Sequence, residues 1–259
     1  MADPESVSLV VGEGGAPRRI AALWRRGAGA PVVWLGGFKS DMVSTKATHL
    51  DAWAERNGRP FLRFDYSGHG ASEGRFEDGT IGAWLAEGLA VMRHCLSTPS
   101  VLVGSSMGGW IALLAAKDGA LREAGLNPKG LVLIAPAVDF TEELMWKEFP
   151  PEVRREIEEK GRWLRPSAYA PEPYPITREL IEEGRRHLLL GGAIRLGCPV
   201  HILQGMRDPD VPWRHAVTLM EHLAGDQSVI TLISDGDHRL SRDEDLARLT
   251  AAIEGFEAI

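Results

Sequence analysis

Ser106 stands at the centre of Gly104-Ser105-Ser106-Met107-Gly108, a G-x-S-x-G set between the apolar run Val101-Leu102-Val103 and a helical run from Trp110 to Ala116. A strand-to-helix turn of this kind is sharp and strained. It lifts the central side chain over the sheet edge, at a helix N-terminus whose amides favour developing negative charge. A serine there becomes a nucleophile when a base takes its proton and an acid orients that base. The chain supplies both in the order Ser, acid, His. Gly205-Met206-Arg207-Asp208 follows the apolar Val200–Leu203, and Ser234-Asp235-Gly236-Asp237-His238 follows the last apolar run. Asp208 and His238 are therefore expected on the same rim as Ser106, and the pattern is that of acyl transfer through serine.

Asp210 is the alternative acid, because Asp-Pro is a common turn pair; Asp208 is preferred because it directly follows the strand. Asp235 and Asp237 beside His238 could suggest a metal, but they are read as turn formers, and no second histidine has ligand spacing. No metal is expected. His215 and His222 lie about two turns apart on one helix and are read as packed or solvent-facing, and His69 in Ser67-Gly68-His69-Gly70 as a loop residue. The tetrahedral intermediate needs backbone donors, expected at the amide of Met107 and at that of Phe38 in the Gly-Gly loop Leu35–Met42.

Short apolar runs must position these loops. Strands are expected at Val7–Val11, Ile20–Trp24, Val32–Leu35, Phe61–Asp65, Val101–Gly104, Gly130–Ile134, Val200–Gly205 and Val229–Ile233. Helices are expected at Thr45–Asn57, Ile81–Leu96, Met107–Gly119, Arg214–Leu223 and Arg242–Gly255. This alternation predicts an α/β fold, a mostly parallel eight-stranded sheet with helices on both faces. The first two strands have no helix between them and are expected to pair as an antiparallel edge hairpin, with Gly12–Gly15 as its turn.

Residues 139–197 break the rhythm. Two helical patterns, Pro151–Leu164 and Thr177–Leu190, flank the Pro-rich Pro166–Pro175. An insertion with structure of its own is usually functional. The chain thus divides into a first core part (1–138), a helical lid (139–197) and a second core part (198–259). The lid aromatics Trp146, Phe149, Trp163, Tyr169 and Tyr174 are read mainly as packing lid to body, with Trp146 and Trp163 also candidates for substrate binding. Arg162, Arg165, Arg185, Arg186 and Arg239 are candidates for receiving an acidic leaving group, Arg239 foremost because it adjoins His238.

The 259 residues, 44% hydrophobic and 25% charged, suit a globular domain, and a net charge of −7 argues against a nucleic-acid surface. No Gly-Lys-Ser/Thr loop or dinucleotide fingerprint is present, so no cofactor is expected. Cys95 and Cys198 are too few for a disulfide framework and are read as reduced thiols. The acidic start, Met1-Ala2-Asp3-Pro4-Glu5, lacks signal-peptide character, and no apolar run approaches a membrane span.

The stretch Asp65-Tyr66-Ser67-Gly68-His69-Gly70-Ala71-Ser72 resembles the D-x-x-G-x-G-x-S loop of the α/β-hydrolase superfamily, and the resemblance spans nearly the whole chain. More narrowly, Gly37–Met42, Thr45–Ala47, Arg63–Gly68, Val103–Trp110, Gln204–Trp213 and Asp237–Arg239 are similar to the abhydrolase-domain protein ten group of animal mitochondria and its bacterial relatives. Lys160-Gly161-Arg162-Trp163 and the following Pro166–Tyr169 fit the same group. The resemblance implies Ser106, Asp208 and His238 as the triad. It also implies removal of long acyl groups from cysteine thioesters, or hydrolysis of acyl glucuronides, with small-molecule or acylated-protein substrates. The organelle-targeting extension of that group is missing at the front, so a cytoplasmic location is expected. A peptidase or amidase on the same triad, or a slow-turnover small-molecule receptor of the same fold, are the alternatives.

Overall fold

The computed structural model describes residues 3–12, 17–166, 172–223, 225 and 227–256. Tyr169 and most of the expected Gly12–Gly15 turn lie outside them. Three interior strands, β1 (Glu5–Val11) and β2 (Arg18–Arg25) aside, open the sheet: β3 (Val32–Leu35), β4 (Phe61–Phe64) and β5 (Val101–Ser105) are buried at every position. Continuous apolar runs of this kind belong to parallel strands covered on both faces. Next come β6 (Gly130–Ile134), the short pair β7 (Arg162–Arg165) and β8 (Tyr174–Thr177), then β9 (Val200–Gly205) and β10 (Ser228–Ile233). The eight-stranded sheet has the order β1-β2-β4-β3-β5-β6-β9-β10. β2 pairs antiparallel with both β1 and β4, and the remaining ladders are parallel.

The helices are α1 (Thr45–Arg56), α2 (Ile81–Cys95), α3 (Met107–Lys117), α4 (Gly119–Glu123), α5 (Pro151–Lys160), α6 (Arg178–Gly184), α7 (Trp213–His222) and α8 (Asp243–Glu254). One face of the sheet packs on α1 and α8 through Leu50, Trp53, Leu249 and Ile253. The other packs on α2, α3 and α7 through Trp84, Trp110, Ile111 and Leu219. Nine of the eleven α3 residues are buried, so this helix is enclosed on all sides. From β3 the chain steps one way to β4, then returns to β5 on the other side. Loops leaving β3 and β5 therefore diverge, opening a crevice at the strand ends where such sheets bind ligands.

The segment between β6 and β9 is less helical than its sequence suggests. The helix expected to reach Leu164 stops at Lys160, because Gly161 takes a left-handed φ of 77° and caps it. Arg162–Arg165 then pairs antiparallel with Tyr174–Thr177. A short π-helical turn, Thr141–Trp146, precedes α5. The Thr177 hydroxyl caps α6 by accepting from the Leu180 amide, and α6 ties back to the core where Glu183 accepts from Gly82 N. Cys95 and Cys198 form no disulfide, and burial pushes the Cys95 thiol up to about 11.

Candidate active site

Ser106 joins β5 to α3 with φ 55° and ψ −119°, a conformation that L residues rarely adopt. The strain is held by its surroundings: Ser106 N donates to Ile134 O at 2.8 Å, and Ser106 O accepts from Gly109 N at 2.9 Å and Ala137 N at 3.1 Å. A Cβ on Gly108 would lie 2.0 Å from Leu35 O, which is why the motif needs glycine where α3 crosses β3.

The loops after β9 and β10 are sewn together. Met206 N donates to Ile233 O, and Arg207 N to Gly236 O at 2.9 Å. At Gly205 a Cβ would stand 2.4 Å from Gly236 O, so the two loops approach as closely as backbone allows. This brings Asp208 against His238, with Nδ1 to Oδ2 at 2.8 Å. Asp208 Oδ2 also accepts from Gln204 Nε2 at 3.2 Å, while Oδ1 accepts from the amides of Asp210 and Val211, each at 2.8 Å. The Asp208 side chain is fully buried and that of His238 is 18% exposed, which leaves one ring edge accessible. An anchored carboxylate of this kind holds imidazole in the Nδ1–H tautomer, turning a basic Nε2 outward.

Ser106 and His238 line one cavity of about 660 Å³. Phe38 and Met107, the two expected donors, line it too. The Met107 amide opens α3, where the first turn of a helix has no intrahelical partner. No partner of the Phe38 amide occurs among the described residues. Phe140, Leu144 and Met145 add an apolar wall from the segment between β6 and β9, while Lys39, Lys46, Arg165 and Arg239 add positive charge.

Asp210 stays near, and its carboxylate, that of Asp208 and the His238 ring lie within 4.8 Å of one another, a spacing that could hold a cation. Both Asp208 oxygens are already occupied by two donors each, so the group is built as a hydrogen-bonded acid and base. Asp237 forms a turn, accepting from Arg239 N and Leu240 N, and Asp235 pairs with Arg242. His215 is packed, with Nε2 bonded to Val138 O at 2.8 Å.

Trp146 and Trp163 do not line the cavity. Trp146 is covered by the guanidinium groups of Arg154 and Arg185 at 5.8 and 5.1 Å, and Trp163 packs edge-on against Phe149 at 5.3 Å. Both rings serve the packing of the segment instead. Arg162 and Arg185 are engaged with Glu77 and Glu142, and Arg186 is exposed.

Two contributors were given no role by sequence reasoning. Gln204 is a fully buried amide that binds Asp208, Gly205 O and Val211 O; a polar residue ending the apolar strand was the available signal. Lys46 donates to Arg239 O from α1, and burial lowers its ammonium to about 8. A lysine on a helix face carries no such signal.

A family model described as the alpha/beta hydrolase family matches residues 14–252. The palmitoyl-protein thioesterase ABHD10, mitochondrial, of cattle is 34% identical over 230 residues, 88% of this chain and 73% of that protein. A crystal structure from Agrobacterium vitis S4 superposes with a TM-score of 0.94 at 48% identity, over 98% of this chain and 99% of that one. Alpha/beta hydrolase domain-containing protein 10 from mouse gives a TM-score of 0.85 at 30% identity, over 97% and 98%. The mammalian relatives are named mitochondrial, which overturns the cytoplasmic expectation drawn from the first residues.

Proposed function

The chain belongs to the alpha/beta hydrolase family, and from that premise we propose that it is a cofactor-free serine hydrolase cleaving carboxylic esters and thioesters. The observation that carries this reading is the contact of buried Asp208 with part-buried His238, together with the strained Ser106 turn and the cavity that Ser106 and His238 both line.

In the proposed cycle His238 Nε2 takes the Ser106 proton as Oγ attacks the acyl carbon. The amides of Phe38 and Met107 hold the oxyanion, and Asp208 stabilises the imidazolium. Collapse breaks the bond to the leaving alcohol or thiol, which receives the proton from His238. Water, activated by His238, then attacks the acyl-enzyme, and the acid departs with Ser106 restored.

The name of the mammalian relatives favours an acylated thiol as substrate, and the apolar wall of Phe140, Leu144 and Met145 suits an acyl chain. Residues 139–197 act as the lid in this reading, because they supply that wall. A second reading, an acidic leaving group such as a glucuronide, rests on the Lys39, Lys46, Arg165 and Arg239 charges at the same cavity.

The test is a turnover panel of p-nitrophenyl esters of rising chain length, a palmitoyl thioester, an acyl glucuronide and a matched amide, run beside Ser106→Ala. Ester or thioester turnover that falls about a million-fold in the variant is expected. Preference for the amide would favour a peptidase, and substantial Ser106-independent turnover would remove the assignment.

A further inference from the structure

His69 lies in the loop after β4, yet its side chain is buried among aromatic rings beneath the loop that carries Phe38. Its ring meets Phe76 and Trp84 edge-on, each at 5.3 Å between centroids, and Tyr66 at 6.0 Å. It is 4% exposed and does not line the cavity, so it cannot be a second base. Both ring nitrogens are engaged: Nδ1 lies 3.1 Å from Ser67 O, and Nε2 accepts from Lys39 N at 3.1 Å. A carbonyl on one side and an N–H on the other allow only the neutral Nδ1–H form.

The Lys39 contact falls at a telling place. Ser40 N donates to Gly37 O at 3.0 Å, and Lys39 has φ 58°, the pattern of a type II turn over 37–40. Such a turn normally places glycine at its third residue, so lysine there must be held from outside. The turn bond leaves the Lys39 N–H unused, and His69 takes it. The peptide planes on either side of Phe38 share its Cα, so fixing the one that contains Lys39 N restrains the one that contains Phe38 N.

We infer that neutral His69 is a positioning residue for the oxyanion donor at Phe38, acting through the Lys39 amide. This rests on the proposed hydrolase reading. Protonating Nε2 would set two N–H donors face to face and release the turn. Burial and the Lys39 ammonium both lower the His69 pKa, against the Ser67 carbonyl bond, so the holding form persists into mildly acidic solution. The other charges around the ring are already committed. Asp65 accepts from Met42 N and Ala71 N, Glu87 of α2 binds Ser67 N and Arg18, and Glu77 beside Phe76 binds Arg162.

Two variants test this. His69→Phe keeps the ring but loses both nitrogens, and His69→Gln offers a non-titrating acceptor. His69→Phe is expected to lower kcat about 10- to 100-fold at unchanged KM, somewhat less than outright loss of an oxyanion donor. His69→Gln is expected to recover most of that loss. Across the pH range where His69 takes up a proton, kcat of the parent should fall a further factor of about 10 to 100 relative to His69→Gln, and the ratio should level off below it at the residual activity of His69→Phe. A folded His69→Phe within twofold of the parent, or a parent-to-His69→Gln ratio of kcat that does not change with pH, overturns the inference. Where His69→Phe does not fold, the glutamine comparison decides. Absence of Ser106-dependent turnover in the parent would sink the hydrolase reading separately. In that event the Phe38 and Lys39 amide resonances still judge the clamp: they should move with pH in the parent and stay still in His69→Gln, and stillness in both refutes it.

Discussion

The floor of the cavity and its roof are built on opposite principles. On the floor, α3 buries nine of eleven residues, and Asp208 is buried with four hydrogen bonds on its two oxygens. In the roof, α5 buries only Ile157 of its ten residues and β7 carries the Arg162–Glu77 ion pair, with side chains 55% and 19% exposed, while Phe140, Met145 and Ile176 tie the same segment into the core. Close packing and saturated hydrogen bonds fix positions to fractions of an ångström, whereas exposed ion pairs contribute little and yield easily. On the proposed reading the difference is a division of labour: chemistry rests on the closely packed floor, and selection of substrate on the more exposed segment above it.

The sharpest way to break this comparison is on the floor. Asp208→Asn is expected to lower kcat about ten-thousandfold, because the wrong imidazole tautomer would be held. Asp210→Asn should stay within about threefold, and the reverse order in measured turnover would make Asp210 the acid. At the rim, Lys46 titrates near pH 8, its ammonium present below that value and lost above it. KM for a substrate with an acidic leaving group should therefore rise severalfold between pH 7 and pH 9, by about the strength of one partly screened ion pair, with a neutral ester unaffected. An equal rise for both substrates would remove the anionic reading. The smallest effect belongs to the roof. Arg162→Ala should cost no more than about 1 kcal/mol in denaturant unfolding while shifting relative rates along an ester chain-length series. A large loss of stability with an unchanged series would show the roof to be as rigid as the floor.

The same contrast explains what could be read from the residues alone. Val32–Leu35, Val101–Val103 and Leu131–Ile134 are short apolar runs bounded by Gly, Pro and polar residues, a length and setting that read as buried strands, and the loops leaving them follow. Arg162-Trp163-Leu164-Arg165 was absorbed into a helical pattern because half-exposed residues carry a weak period; Gly161 was the visible stop signal. Gln204 stood out as a polar residue in an apolar strand with its partners within seven positions, whereas Lys46 and His69 escaped for another reason. Each works through a partner that adjacent strands or loops bring close, and hydrogen bonds between Lys46 and Arg239, 193 positions apart, leave no mark on local sequence.

The pairing of β9 with β10 at one edge of the sheet has a consequence for biosynthesis. Ser106, its turn and α3 are complete in the first half of the chain, but Asp208 and His238 arrive with the last two strands. Parallel pairing between distant segments is among the slower events of folding. A nascent or partly refolded chain would thus carry its serine without the proposed base, and recovered activity would report closure of the last sheet edge.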